Sequence, residues 1–360
     1  MHVLVEGTGG ARGWPEPGCR CASCARQVLD GNIRERSAIL VDRELRLATE
    51  GGEPGGAGYL VRRLADVRGA GEEGTGGWEV TSPDGGRLLY PAGPGAVPVP
   101  PDGAEPYDVA FLDLLGDPAQ LGLLRARGLV TGDTITAVAF ADHRVPSERE
   151  LRQRCGFWRA GLPGDGESVT TSRSAEKETR SSPWRVLVLG GARSGKSERA
   201  ELRLSGEPDV TYVAAGGQWE QDPEWAARVA AHRARRPAWW RTAETTELAR
   251  MLASARGALL IDGIGGWLAA VLDECGTWDS AGDGWAERLA GRTAELVGAW
   301  RQTGAYVVAV SDETGLGVVP ATPAGRLFRD ELGRLNQRLA AESDEAELVV
   351  AGRILPLTPG

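Results

Sequence analysis

Residues 190–197 read Gly190-Gly191-Ala192-Arg193-Ser194-Gly195-Lys196-Ser197, the spacing G-x-x-x-x-G-K-[ST]. Glycines at those places let backbone N–H groups turn inward around phosphate oxygens, and a helix starting there adds positive potential. In such a loop the lysine contacts the terminal phosphates and the serine ligates Mg²⁺. Gly190 to Ser197 are therefore the expected nucleotide-binding residues, with Lys196 as the catalytic cation and Ser197 as a metal ligand. Lys196 is one of two lysines in the chain, against 41 basic residues in all. A neighbouring strand end should supply an acidic Mg²⁺ ligand, and "ALLIDG" offers Asp262.

Histidine is scarce: His2, His143 and His232. His232 sits in "QDPEWAARVAAHRARRPAWWRTAE". Asp222-Pro223 suits a helix N-cap followed by proline at the first helical position. Glu224, Arg228 and His232 then share one face, while Trp225 and Val229 lie on another. Two readings of His232 stand from this pattern. One is an idle imidazole at a solvated, basic helix end. The other is a nucleophile, with the arginines holding a nucleotide's phosphates. Imidazole titrates near pH about 6.5, so it is usable as a nucleophile at neutral pH.

Cys19, Cys21 and Cys24 give Cys-x-Cys-x2-Cys; Cys155 and Cys275 complete the set of five. An odd count with three packed together points to a metal site in a reducing compartment, not to a disulfide framework. Three thiolates suit tetrahedral Zn²⁺ and leave one ligand to find. His143 and Cys155 are the candidates.

These residues need elements to position them. Before residue 164 the apolar runs are short: "HVLV", "SAILVD", "RLLY", "YDVAFLD" and "TITAVAFAD", divided by Gly- and Pro-rich stretches. They predict a strand-rich αβ domain over 1–163. Residues 164–183, "GDGESVTTSRSAEKETRSSP", hold one apolar β-branched residue, Val169, and read as a flexible linker. Over 184–360, "RVLVLG", "VTYVAA", "ALLIDG", "AYVVAVS" and "AELVVAG" alternate with helical segments. Such runs predict a mostly parallel sheet covered by helices, an α/β fold of the P-loop (RecA-like) kind.

The net charge of −9 argues against a nucleic-acid partner, since a phosphate backbone demands a basic field. No apolar stretch is long enough to span a membrane, and the N-terminus lacks a secretory pattern. With the cysteine usage, this predicts a cytoplasmic protein.

The second half resembles the bifunctional adenosylcobinamide kinase / adenosylcobinamide-phosphate guanylyltransferases of cobalamin biosynthesis. The resemblance spans about residues 184–358. It rests on "GGARSGKS", "YVAAG", "EWAARVAAHRARRP" with "WWRTAE", "LLIDGIGGWLAAVL", "VSDETGLGVVP" and "GRLFRDELGRLNQRLAAESDEAELVVAG", in that order. It implies ATP and GTP as substrates, adenosylcobinamide as acceptor, and homo-oligomers, trimers among them. It also implies that GTP guanylylates His232, which passes GMP to the corrinoid phosphate. Arg228, Arg233, Arg236, Glu244 and Glu313 become nucleotide contacts by the same resemblance. Asp312 stands where asparagine is usual, Thr314 where valine is, and Gly265 and Ala270 where threonine and asparagine are. Arg326, Arg329, Asp330, Asn336 and Gln337 match the C-terminal motif, for packing or for function.

The first half is similar to the phosphodiesterase branch of the metallo-β-lactamase-like fold, through "VEGTGGARGWPEPGCRCASC", "RSAILVD", "YDVAFLDLL" and "AVAFADHRVPSERELRQRC". The resemblance makes His143 the fourth zinc ligand. Those hydrolases need His-x-His-x-Asp-His, which this chain does not contain. Asp113 and Asp42 match acidic positions but lack partners. The resemblance thus implies a zinc-stapled domain without the hydrolase chemistry. Two other functions remain: a P-loop kinase for another small alcohol without nucleotidyl transfer, and an NTP-binding regulatory protein.

Overall fold

Strand alternation shapes both halves of the chain. In the computed structural model, residues 1–49, 53–67, 76–171, 183–216, 236–277 and 284–357 are described. The chain divides into two compact units, Met1–Thr179 with Ser205–Pro208, and Arg180–Leu204 with Asp209–Gly360.

In the first unit, Ser168–Thr170, His2–Gly7, Ala38–Val41 and Leu45–Ala48 pair in that order as an antiparallel sheet. A second sheet runs Pro98–Val99, Leu60–Asp66, Gly77–Thr81, Arg87–Pro91, Val109–Leu112, Ile135–Val138. Its last three strands are parallel. Val3, Val5, Ile39 and Val41 of one sheet share a core with Val80, Leu88, Val109 and Phe111 of the other. Alternate residues of each strand point into this layer because the side-chain period is two.

The expected linker starts too early. Residues 168–170 are a strand, with Val3 opposite Val169. The Val5 amide also donates to the Glu167 carbonyl at 2.8 Å. A composition reading weighs side chains only. Here the open edge of His2–Gly7 supplies main-chain partners, and Val169 packs against the core. The first unit therefore extends beyond residue 163, and residues 172–182 lie outside the described set.

In the second unit the strand order among the described residues is Arg241–Glu244, Val210–Ala214, Ala258–Asp262, Tyr306–Asp312, Trp184–Gly190, Glu345–Val350, Arg353–Pro356. All neighbours are parallel except the last pair. Both faces are buried. Leu187, Leu189, Leu259, Ile261, Val307 and Ala309 face helices Leu248–Ser254, Ile264–Glu274, Trp285–Gln302 and Pro323–Ala341. Val186, Val188, Leu260, Val308 and Val310 face helix Lys196–Leu204. Two-sided burial explains the continuous β-branched runs of the sequence. Inside it, Glu347 pairs with Arg199 at 2.9 Å and Arg203 at 2.6 Å. No helix among the described residues is long and apolar enough to cross a membrane.

Candidate functional site

Parallel strands place their C-terminal ends at one edge, where α/β folds take ligands. Gly190, Asp262, Asp312 and Glu244 all end strands at that edge. The loop after Gly190 turns into helix Lys196–Leu204. Two of its glycines are required by geometry. A Cβ on Gly190 would stand 2.4 Å from Ser194 Oγ and 2.7 Å from the Val349 carbonyl. Gly195 has φ +97°, a left-handed conformation that glycine adopts at no steric cost. Gly191 meets no such obstacle. Ala192 and Arg193 are exposed on the loop, Arg193 with φ 56°. Ser194 is buried, and its carbonyl accepts from the Gly352 amide at 2.8 Å.

Lys196 Nζ lies 2.8 Å from Asp312 Oδ1 and donates to the Gly191 carbonyl at 3.1 Å. Ser197 Oγ lies 3.4 Å from Asp262 Oδ1. The Tyr212 hydroxyl donates to Asp262 Oδ2 at 2.8 Å. Burial raises the Tyr212 phenol, and the Asp262 carboxylate adds to the shift, so the hydroxyl stays a donor. Arg236 stacks on the Tyr212 ring, 3.4 Å from its centroid. Ser197 and Asp262 form an all-oxygen donor pair, the chemistry Mg²⁺ selects.

The expected residues Lys196, Ser197 and Asp262 thus come together. Arg236 reaches the same cluster through Tyr212. Glu244 ends the strand on the far side of Val210–Ala214 and is exposed. Glu313 follows Asp312, donates its amide to the Gly190 carbonyl at 3.1 Å, and accepts from the Gly315 amide at 2.9 Å. His232, Arg228 and Arg233 lie outside the described residues. Tyr212 was not anticipated. Only strand pairing brings it beside Leu260, two residues before Asp262. Gly265 and Asp312 also meet: a Cβ on Gly265 would stand 3.0 Å from Asp312 Oδ2.

In the first unit, one ligand atom each from Cys19, Cys21, Cys24 and His143 lies within 4.8 Å of the others. Cys21 caps helix Ala22–Asp30, its sulfur accepting from the Cys24 amide at 3.4 Å. That hydrogen bond lowers the Cys21 thiol. Burial pushes Cys24 up to about 12; a bound divalent cation would reverse such a shift. Ser23 ties the helix to the His143 loop, accepting from Trp14 Nε1 at 3.2 Å and donating to the Val145 carbonyl at 2.7 Å. Cys155 is buried in helix Glu148–Trp158 and is not part of the cluster.

Asp113 is held by protein groups. It pairs with Arg144 at 2.8 Å and 3.1 Å, and accepts from the Gly95, Leu115 and Gly116 amides. Asp42 accepts from the His2 amide at 2.6 Å and the Tyr59 hydroxyl at 3.1 Å.

A family model described as cobinamide kinase / cobinamide phosphate guanyltransferase matches residues 186–357. The bifunctional adenosylcobalamin biosynthesis protein CobU of Salmonella typhimurium is 40% identical over 178 residues, covering 46% of this chain and 96% of that protein. CobP of Pseudomonas aeruginosa, of the same description, is 39% identical over 181 residues, covering 48% and 96%. CobU of Escherichia coli is 36% identical over 176 residues, covering 46% and 96%.

The chain belongs to the cobinamide kinase / cobinamide phosphate guanyltransferase family. The family match takes in the whole phosphate loop, Asp262, Tyr212, Arg236 and Asp312. It leaves the cysteine cluster and the Asp113–Arg144 pair to the other half of the chain.

Proposed function

We propose that this chain phosphorylates adenosylcobinamide on its aminopropanol hydroxyl with ATP or GTP. It then transfers GMP from GTP to the new phosphate, giving adenosylcobinamide-GDP in cobalamin biosynthesis. Family membership carries this reading, with the convergence of Lys196, Ser197 and Asp262 at one sheet edge in support.

In the first step the acceptor oxygen bonds to the γ-phosphorus as that phosphorus loses its bridging oxygen. The nucleoside diphosphate leaves with the electron pair, and the hydroxyl proton goes to solvent. The amides of Gly190 to Ser197 hold the phosphates, and Lys196 exchanges Asp312 for the terminal phosphate. Ser197 and Asp262 would hold Mg²⁺, which when bound offsets phosphate charge. Tyr212 keeps the second Asp262 oxygen in place.

In the second step His232 attacks the α-phosphorus of GTP, and pyrophosphate leaves. The corrinoid phosphate then displaces the imidazole and takes the GMP. Arg228, Arg233, Arg236, Glu244 and Glu313 contact nucleotide. Intact mass after incubation with GTP and Mg²⁺ tests this step. A GMP-sized, acid-labile adduct on wild type and none on His232→Ala supports it. No adduct on a folded, GTP-binding wild type leaves a kinase without nucleotidyl transfer or an NTP-binding regulatory protein. The reading includes a homo-oligomer, tested by light scattering.

For the first unit, we propose a structural Zn²⁺ on Cys19, Cys21, Cys24 and His143 in a degenerate metallo-β-lactamase-like domain. Three thiols and an imidazole within 4.8 Å support it. Two face-to-face sheets support the fold. Arg144 supports the loss of hydrolase chemistry, because a guanidinium already neutralises Asp113. Metal analysis of the purified chain should find zinc in wild type and little in Cys24→Ser. Equal zinc in both would remove the site.

A further inference from the structure

A cavity of about 550 Å³ opens beside the phosphate loop. Gly191 and Ala192 form one side; Asp312 stands on another; Val318, Pro320 and Phe328 give apolar walls. Asp312 is 43% exposed at its side chain, so a ligand can reach it, and it touches Lys196 at 2.8 Å. Whatever fills this cavity therefore lies next to the terminal phosphate that Lys196 would hold. That is the place an acceptor hydroxyl must occupy for transfer.

The segment that lines the cavity through Gly317, Val318 and Pro320 forms its rim and carries exposed apolar side chains. Leu316 is 76% exposed, Val318 94% and Val319 61%. The segment carrying them is tied down rather than loose. Arg329 donates to the Gly315 carbonyl at 3.1 Å, and Arg326 to the Pro320 and Ala321 carbonyls at 3.0 Å and 2.8 Å. Asn336 donates to the Asp312 carbonyl at 3.1 Å and accepts from the Ser311 hydroxyl at 2.7 Å, fixing the strand end. A held, exposed apolar rim around a phosphate-side cavity is preorganised for a bulky ligand.

We propose that this cavity is the phosphoryl-acceptor site. It takes the hydroxyl-bearing arm of the corrinoid, with Asp312 accepting the hydroxyl hydrogen bond. A cavity of this size admits an arm and the phosphate it receives, not a whole corrinoid. The macrocycle must therefore lie at the mouth, with its alkylated edge on Leu316, Val318 and Val319. The inference rests on the kinase reading above.

The test is the double variant Leu316→Asp/Val318→Asp in the full chain. Both side chains are exposed, so folding is not at stake. Phosphorylation of adenosylcobinamide by ATP is followed by mass spectrometry, and the Kd of Mg²⁺ with a non-hydrolysable ATP analogue by calorimetry. The KM for the corrinoid should rise about tenfold or more, the effect of losing two buried apolar contacts, while the nucleotide Kd holds. A corrinoid KM within twofold of wild type overturns the inference. So does an unchanged KM accompanied by a change of oligomeric state, which would make the rim a contact between copies. A wild type that phosphorylates no corrinoid overturns the functional reading and this inference together.

Discussion

Lys196 and Asp312 form an ion pair across the C-terminal edge of the sheet, 2.8 Å from ammonium nitrogen to carboxylate oxygen. The loop lysine is thus engaged before any phosphate arrives, and a nucleotide must displace Asp312 to gain it. Asp312→Asn removes the competing charge. Because Asp312 is partly exposed, the pair is worth only about 0.2–1 kcal/mol. We expect Mg²⁺-nucleotide binding to tighten by up to about fivefold, measured by calorimetry. Weaker binding would mean that Asp312 serves the nucleotide rather than opposing it.

Lys196→Ala should separate catalysis from stability. Loss of the cation from the phosphate site should lower kinase turnover by about 10²-fold or more. Its partner Asp312 keeps access to water, so the melting transition should stay within about 0.5 kcal/mol of wild type. Steady-state rates and thermal melts on one preparation check both halves.

Tyr212→Phe removes a hydroxyl and leaves the ring. Asp262 loses a 2.8 Å hydrogen bond, while the stacking surface under Arg236 stays. Groups that orient metal ligands typically matter by about 10–100-fold in affinity. The Mg²⁺ concentration needed for half-maximal kinase rate should rise by that order. Guanylylation that depends on Arg236 should fall further in Tyr212→Leu than in Tyr212→Phe, read by intact mass.

Arg144→Met should destabilise the first unit. Asp113 is fully buried and would keep its three backbone partners but lose its counter-charge. Leaving one buried charge unpaired costs about 3 kcal/mol. Adding Asp113→Asn should recover part of the loss in chemical denaturation. No recovery would show that Arg144 acts through other contacts.

Acid should weaken both units through one glutamate each. Burial by itself would raise Glu347 and Glu148. The Arg199 and Arg203 contacts outweigh it for Glu347, and Arg34 and Arg152 do so for Glu148; both carboxyls are held below their ordinary range. A carboxylate depressed in the folded state stabilises fully above its unfolded pKa, and that stability is lost as pH falls through the folded value. Melting temperatures between neutral pH and strongly acidic pH should show the fall, and Glu347→Gln should flatten it for the second unit.

The phosphate loop is legible along the chain because its parts are covalent neighbours. Gly190, Gly195, Lys196 and Ser197 act through local backbone turns that their own spacing dictates. The buried parallel sheet is legible for a similar reason, since two-sided burial writes continuous apolar runs into each strand. The cysteine trio is local in the same way, with Cys21 capping the helix that carries Cys24.

Strand order and register decided the rest. They set Asp312 against Lys196, Tyr212 under Asp262 and Arg144 on Asp113, pairs whose members are far apart in sequence and follow no period. They also gave Val169 a partner strand that its polar surroundings concealed. Side-chain pattern reports what a segment buries. Which main-chain edge it meets, and which charge then faces it, is a property of three-dimensional packing.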